Sequence, residues 1–506
     1  MNLTNFASTL GQWYNFPSLL PLGQAKYDDK VTDITIGIPL SMLNRHGLIA
    51  WATGTGKTKS VQLLVEWCAQ AGVPTLVMDM KWDISGLSMP GDDNNSKIIE
   101  RYTLLQKEFH ARAFECEFMS LTGKNWFQRR TTIIELWPLI LAQMLELNDT
   151  QTSALSAKFF FCDKQWLSLL DLEDLQSVIK YLWQDEVNKK FESDYGMLAP
   201  ATLSVLLRKT IELEQQWWHA IFGEPSLDIS DIIRTNTKGE GLITIFKLED
   251  IQTKPNLFCA AMLGILSELY ASLPEIGDMD KPKLVMIIDE AHLLFQQASS
   301  ELLQNLEMMI KLIRSKGVGI FFCTQLPDDV PSSILSQLWT KIQHALRAFT
   351  QRDRKAMKSA VENYPITEFY QTDELITSLW VGEVLFTTLD PKGIPTPLAH
   401  IFNLTPSSRM DTISQSELDH FLSSSLLVGK YNTLIDRESA SEILTQRLWS
   451  QNQSPDVTES SGLGEAVWWV LWSKIAKNIG KEVGNIAVRS ILWYLGIKVR
   501  SNKTFF

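Results

Sequence analysis

Residues 54–58 read Gly-Thr-Gly-Lys-Thr, between a short apolar run, His46–Ala52, and a helically spaced stretch, Lys57–Ala71. A glycine-rich turn between strand and helix is an anion site: its backbone N–H groups curl round a phosphate where the helix dipole favours negative charge. Thr53, Gly54, Thr55, Gly56, Lys57, Thr58 and Lys59 are the expected cradle for ATP. In it the Lys57 ammonium neutralises β/γ-phosphate oxygens and the Thr58 hydroxyl ligates Mg2+. The full pattern, G-x-x-x-x-G-K-[ST], asks for glycine at position 51, where the chain has Trp51.

A second constellation answers the first. The apolar run Leu284–Ile288 delivers Asp289 and Glu290 to its C-terminal end, where ligands sit in open α/β sheets. Asp289 is expected to hold Mg2+ through water, and Glu290 to act as the base that polarises the attacking water. Gln325, after the run Gly319–Cys323, is placed to sense the γ-phosphate and the lytic water. Arg314 and Arg347 are both candidates for an arginine finger reaching a neighbouring subunit's γ-phosphate. Each is also readable as a surface salt bridge or a helix C-terminal charge. Asp79, Lys81 and Asp83 lie at and just beyond the end of another buried run, Thr75–Met80, and their types alone assign them no role.

These residues need a scaffold of buried strands alternating with helices. Apolar runs at 46–52, 75–80, 114–121, 241–248, 284–288, 319–323, 342–348 and 381–389 read as strands. Helical spacing covers 57–71, 257–273 and 302–315. Such alternation predicts a mostly parallel sheet covered on both faces, an α/β fold. Residues 1–35 read as a leader, 36–125 and 226–402 as two parts of the nucleotide-binding core, and 126–225 as a mostly helical insertion. A polar linker over 403–461 and a helical tail over 462–506 complete the expected organisation.

Bulk composition narrows the class. With 506 residues, 45% hydrophobic and 21% charged, the chain is an ordinary globular one. A net charge of −11 argues against general adhesion to nucleic acid or anionic lipid. The five cysteines form no CxxC pair, the N-terminus has no signal-peptide pattern, and no apolar run is long enough to span a membrane. A cytoplasmic protein without stable membrane insertion is the expectation.

The segments GLIAWATGTGKT, DEAHLLF, LIRSKGVGIFFCTQLPDDVP and KIQHALRAFTQRD together resemble the bacterial HerA-like ATPases of the HerA/FtsK superfamily. The likeness runs from about residue 20 to 405 and weakly into the tail. It implies a RecA-like P-loop fold, ATP hydrolysis, a homo-hexameric ring and DNA translocation, with a nuclease or other protein as a further partner. Two other readings stay open: a nucleotide-binding assembly protein without turnover, and a secretion-type ATPase acting on protein.

One departure from that family is systematic. Trp51, Trp82, Trp137, Trp166, Trp217, Trp218, Trp339 and Trp380 stand where the resemblance leads to glycine. Glycine is 26 of 506 residues, below the usual ~7%, and eight more would restore the balance. As a hypothesis, one cause accounts for all eight: UGA codons that specify glycine, read here as tryptophan. Peptide sequencing of the native protein that finds tryptophan at these sites would end the idea. Read the same way, the tail residues Trp468, Trp469, Trp472 and Trp493 turn an interfacial helix into a small-residue helix that packs on its own ring.

Overall fold

The computed structural model describes residues 3–452 apart from 53, 122–125, 137, 197, 216–220, 250–254, 278, 296–299, 348–350, 434 and 436. Thr53, Trp137, Trp217, Trp218 and the tail therefore lie outside the described residues. Contacts divide the chain into a unit over 1–444 and a second over 445–506, and the first contains all that follows.

That unit is built on one 12-stranded sheet, in the order β2 (Lys30–Pro39), β1 (Leu19–Tyr27), β12 (Ala399–Asn403), β11 (Glu383–Thr387), β10 (Thr340–Gln343), β3 (Gly47–Ala50), β9 (Val318–Thr324), β8 (Leu284–Ile288), β4 (Thr75–Asp79), β7 (Ile243–Lys247), β5 (Cys116–Ser120) and β6 (Phe127–Gln128). The strands that matter for chemistry are β3 (Gly47–Ala50), β4 (Thr75–Asp79), β8 (Leu284–Ile288) and β9 (Val318–Thr324). They pair in parallel, as β3 with β9, β9 with β8 and β8 with β4. All four C-terminal ends therefore open on the same edge, and that common edge makes a composite site possible.

Alternation along these strands fills two cores. Leu284, Met286 and Ile288 of β8, with Val318, Ile320 and Phe322 of β9, face one apolar cluster. Val285 and Ile287, with Phe321 and Cys323, face the other. A period of two with apolar residues on both faces is what a central parallel strand requires. The first face is covered by the helices Pro255–Ser272 and Ser300–Ile313 and by the insertion. The second is covered by α1 (Leu3–Trp13), α2 (Lys57–Gln70) and the helix Gln415–Ser424.

Within the insertion the helices Asp149–Gln165 and Leu172–Tyr181 each begin with a capping box, Asn148 with Gln151 and Asp171 with Asp174. Each box satisfies two backbone donors that a helix start leaves open. A two-residue strand, β6 (Phe127–Gln128), ties the start of this region to the sheet beside β5 (Cys116–Ser120).

Three segments differ from the sequence expectation. Residues 3–39 are not a featureless leader. They form α1 and a hairpin of β1 (Leu19–Tyr27) and β2 (Lys30–Pro39), joined to the sheet through β12 (Ala399–Asn403). Short alternation on a sheet edge leaves a weak periodic signal, which explains the difference. β10 spans only Thr340–Gln343, so Arg347 lies beyond it rather than within a strand. The stretch from 403 does not begin as a linker. Its serines are anchors: the Glu66 carboxylate of α2 accepts from the backbone N–H and hydroxyl of both Ser407 and Ser408.

Candidate active site

α2 begins at Lys57, and its N-cap Gly56 has φ +104°. Gly54, at φ +81°, supplies the other left-handed turn. Both positions need glycine, because a Cβ disfavours this backbone region. The turn is locked from beside: Trp51 N–H donates to the Thr324 carbonyl at 3.2 Å and Ala52 N–H to that of Ala345 at 3.1 Å. The Thr55 hydroxyl donates to the Ala52 carbonyl at 2.7 Å. His344 Nδ1 meets the Thr55 carbonyl at 3.1 Å.

A cavity of about 560 Å3 opens at the loop, walled by Lys57, Thr58, Lys81, Asp83, Gln325 and Trp51. Its far side is the segment Met410, Asp411 and Thr412. Lys59 also lines it, and its ammonium donates to the Met410 carbonyl. Lys57 Nζ lies 2.8 Å from both Asp289 oxygens, and 4.8 Å over the Trp51 ring. Burial works against the Lys57 charge, but the carboxylates of Asp289 and Asp83 outweigh it and raise the ammonium's pKa. Lys57 is thus a permanent cation facing the loop.

Three carboxylates converge beside it. Oxygens of Asp79, Asp83 and Asp289 lie within 4.8 Å of one another. Thr58 Oγ1 donates to Asp83 Oδ2 at 2.7 Å, while Asp83 Oδ1 is buried without a partner. Burial, reinforced by Asp83 and Asp289, lifts the Asp79 carboxyl to about 7 against the pull of hydrogen bonds from the Lys81 and Ile84 N–H groups. A hydroxyl, an orphaned carboxylate oxygen and crowded negative charge are the donor set that a hard divalent cation takes. The residues therefore fit Mg2+, with Thr58, Asp83 and Asp289 as the holders.

Glu290 sits one residue on, with φ +48° and a side chain only 4% exposed. A non-glycine residue in this region is strained, and such strain concentrates at functional sites. Its Oε1 accepts from Lys81 Nζ, and His292 Nδ1 lies 3.4 Å from its Oε2. Gln325 follows β9 directly and lines the cavity.

Of the predicted residues, Gly54, Thr55, Gly56, Lys57, Thr58, Lys59, Asp289, Glu290 and Gln325 come together on the common edge. Arg314 does not. It opens the 3-10 turn Arg314–Lys316 before β9, where the Lys283 N–H bonds the Gly317 carbonyl at the N-terminal edge of the sheet. Arg347 is exposed, four residues past the end of β10. Sequence reasoning gave no role to Lys81 and Asp83, although the run Asp79-Met80-Lys81-Trp82-Asp83 follows β4 as Asp289-Glu290 follows β8. The two strands are neighbours, which the sequence does not state.

A glycine loop over α2 and paired carboxylates after β8 define a RecA-like P-loop nucleotide-binding ATPase. The family model for the helicase HerA-like C-terminal domain matches residues 24–495, and the chain belongs to that family. Its fold is similar to that of the plasmid coupling protein TrwB solved with a non-hydrolysable GTP analogue. That match has TM-score 0.50 and 14% identity, and covers 80% of this chain and 94% of that one. TrwB with an ATP analogue matches with the same figures. VirB4 of Thermoanaerobacter pseudethanolicus matches at TM-score 0.48 and 16% identity, covering 76% of this chain and 96% of that one. No curated protein matches the chain. Among the described residues no helix is long and apolar enough to cross a membrane.

Proposed function

We propose that the protein is an ATP-hydrolysing ring motor that translocates DNA in the cytoplasm. The observation that carries the reading is that Lys57, Thr58 and Gln325 line one cavity while Asp289 bonds Lys57 and Glu290 bonds Lys81 from the neighbouring strand end. Lys57 binds the β/γ-phosphates as a fixed cation, leaving Asp289 for them. Glu290 accepts a proton from the attacking water, and Gln325 orients that water against the γ-phosphate. Thr58, Asp83 and Asp289 would hold Mg2+, which would supply charge neutralisation at the phosphate oxygens.

An arginine from a neighbouring subunit completes the site, in a homo-hexamer. Arg314 lies at the edge of the sheet away from its own loop, so any contact with a phosphate is made in trans. Arg347 is the second candidate for the same task. DNA, and a nuclease or other protein that uses the motor, are the proposed partners. The test is phosphate release from Mg-ATP by the purified protein: Glu290→Gln should keep ATP binding and lose at least ~100-fold in turnover. Turnover that survives the substitution places the base elsewhere.

One observation favours a second reading, a nucleotide-binding assembly protein without turnover. The Trp51 indole lines the cavity and lies under Lys57. The same assay separates the two, because the second predicts no phosphate release from the wild-type chain.

A further inference from the structure

Lys81 is a cation that the proposed chemistry does not use. Its backbone is fixed, because Asp79 Oδ1 accepts from the N–H groups of Lys81 and Trp82, at 3.0 and 2.8 Å, and Asp79 Oδ2 from Ile84 N–H at 3.2 Å. Its side chain is not fixed in the same way. It is 53% exposed, lines the nucleotide cavity and places its ammonium on Glu290. Glu290 is the opposite case, a buried carboxylate on a strained backbone.

We propose that Lys81 is a positioning residue that alternates between the Glu290 carboxylate and the γ-phosphate of a bound triphosphate. The inference rests on the nucleotide-site reading above. While Lys81 bonds Glu290 Oε1, one of the two carboxylate oxygens is engaged and the ammonium stands at the base, although Oε2 itself accepts no hydrogen bond. A triphosphate brings several negative charges into the same cavity and competes for the ammonium, since charge-assisted bonds to phosphate oxygens rank among the strong ones. A diphosphate ends one phosphate short and competes less. Transfer of Lys81 to the γ-phosphate frees Glu290 Oε1 and removes the ammonium from the base when a hydrolysable group is in place. Lys57 cannot do this, because its partner is Asp289 and not the Glu290 carboxylate. Lys81 thereby links recognition of the third phosphate to release of the base.

The test is a binding cycle, which reads affinity without turnover. Affinities for a non-hydrolysable ATP analogue and for ADP are measured on wild type, Lys81→Ala, Glu290→Gln and the double variant, with Lys81→Gln as a second truncation that keeps the stem. Lys81→Ala should weaken the analogue about tenfold, the worth of one charged contact, and ADP less than about twofold. Glu290→Gln should tighten the analogue, because a neutral amide competes less for Lys81, and this gain should vanish in the double variant. Equal losses for analogue and ADP, or a Glu290→Gln effect that is the same with and without Lys81, overturn the proposal and leave the ATPase reading standing. A wild-type chain that binds neither nucleotide overturns both.

Discussion

Trp166 ends the helix Asp149–Gln165 with φ +55° and ψ +38°, the left-handed cap that glycine normally fills. Trp82 holds φ +65° in the turn after β4. Two tryptophans at glycine-expected positions therefore occupy backbone that costs a side chain about 1–2 kcal/mol each. The packing around them differs. Trp166 is 77% exposed, so Trp166→Gly gives up little burial and should stabilise the protein by about 1 kcal/mol, read as a higher urea midpoint. Trp82 packs on Trp126 and Phe118, with ring centroids at 4.4 and 5.4 Å. Losing that contact costs about as much as relieving the turn gains, so Trp82→Gly should leave stability near the written chain's. Trp51 is a third situation, since its backbone lies outside the left-handed region and its indole is buried against the loop. Trp51→Gly should raise ATP affinity by opening the cavity, and unchanged or weaker binding by calorimetry would show that the indole belongs there. The glycine expectation was legible from the sequence, but which indoles pack and which protrude depends on neighbours such as Trp126, 44 positions along the chain.

At the level of elements, much of the candidate site was readable because Asp289, Glu290 and Gln325, the proposed metal holder, base and sensor, each follow a strongly apolar strand. β8 and β9 are buried at every position, and their ends announce Asp289, Glu290 and Gln325. What was not readable is which strands adjoin. That β4 lies beside β8, and so brings Lys81 to Glu290, is a property of pairing. The strap over 403–412 was equally hidden, since its polar composition resembles a linker's until Glu66 is seen to anchor it. Glu66→Ala should release the strap, lower the melting temperature and weaken ATP binding through the loss of the Met410–Thr412 wall. Normal affinity in that variant would count against the strap's place in the site. His46 joins three elements, with Nε2 on the Ile310 carbonyl and Nδ1 accepting from Ile320 N–H at 3.0 Å. Burial lowers its pKa to about 4, and burial does the same to His344. Unfolded histidine titrates near 6.5, so the unfolded chain binds more protons as pH falls from about 6.5 to about 4. Stability contributed by these two residues is full above that window and lost across it, with a slope approaching ~1.4 kcal/mol per pH unit for each. His46→Asn should flatten the acid limb of a pH–stability curve. An unchanged slope would mean that His46 is protonated in the fold.

For the whole molecule, a single chain brings together the glycine loop, the candidate metal-holding carboxylates and the proposed base, but neither candidate arginine. Arg314 belongs to the N-terminal edge of the sheet and Arg347 lies beyond β10. Rings mixed from Lys57→Ala and finger-variant subunits should regain turnover, because some interfaces then pair an intact loop with an intact arginine. Absence of rescue for both Arg314→Ala and Arg347→Ala would argue that neither acts in trans. The net charge of −11 argues against DNA binding over the whole exterior, so a DNA-binding surface would have to be a local basic one. The central claim is that ATP turnover drives movement on DNA, and the direct measurement is the ATPase rate of the purified oligomer with and without double-stranded DNA, with Lys57→Ala as the blank. The account predicts a basal rate that rises several-fold with DNA and disappears in Lys57→Ala. A wild-type rate that is zero, or identical with and without DNA, would contradict it.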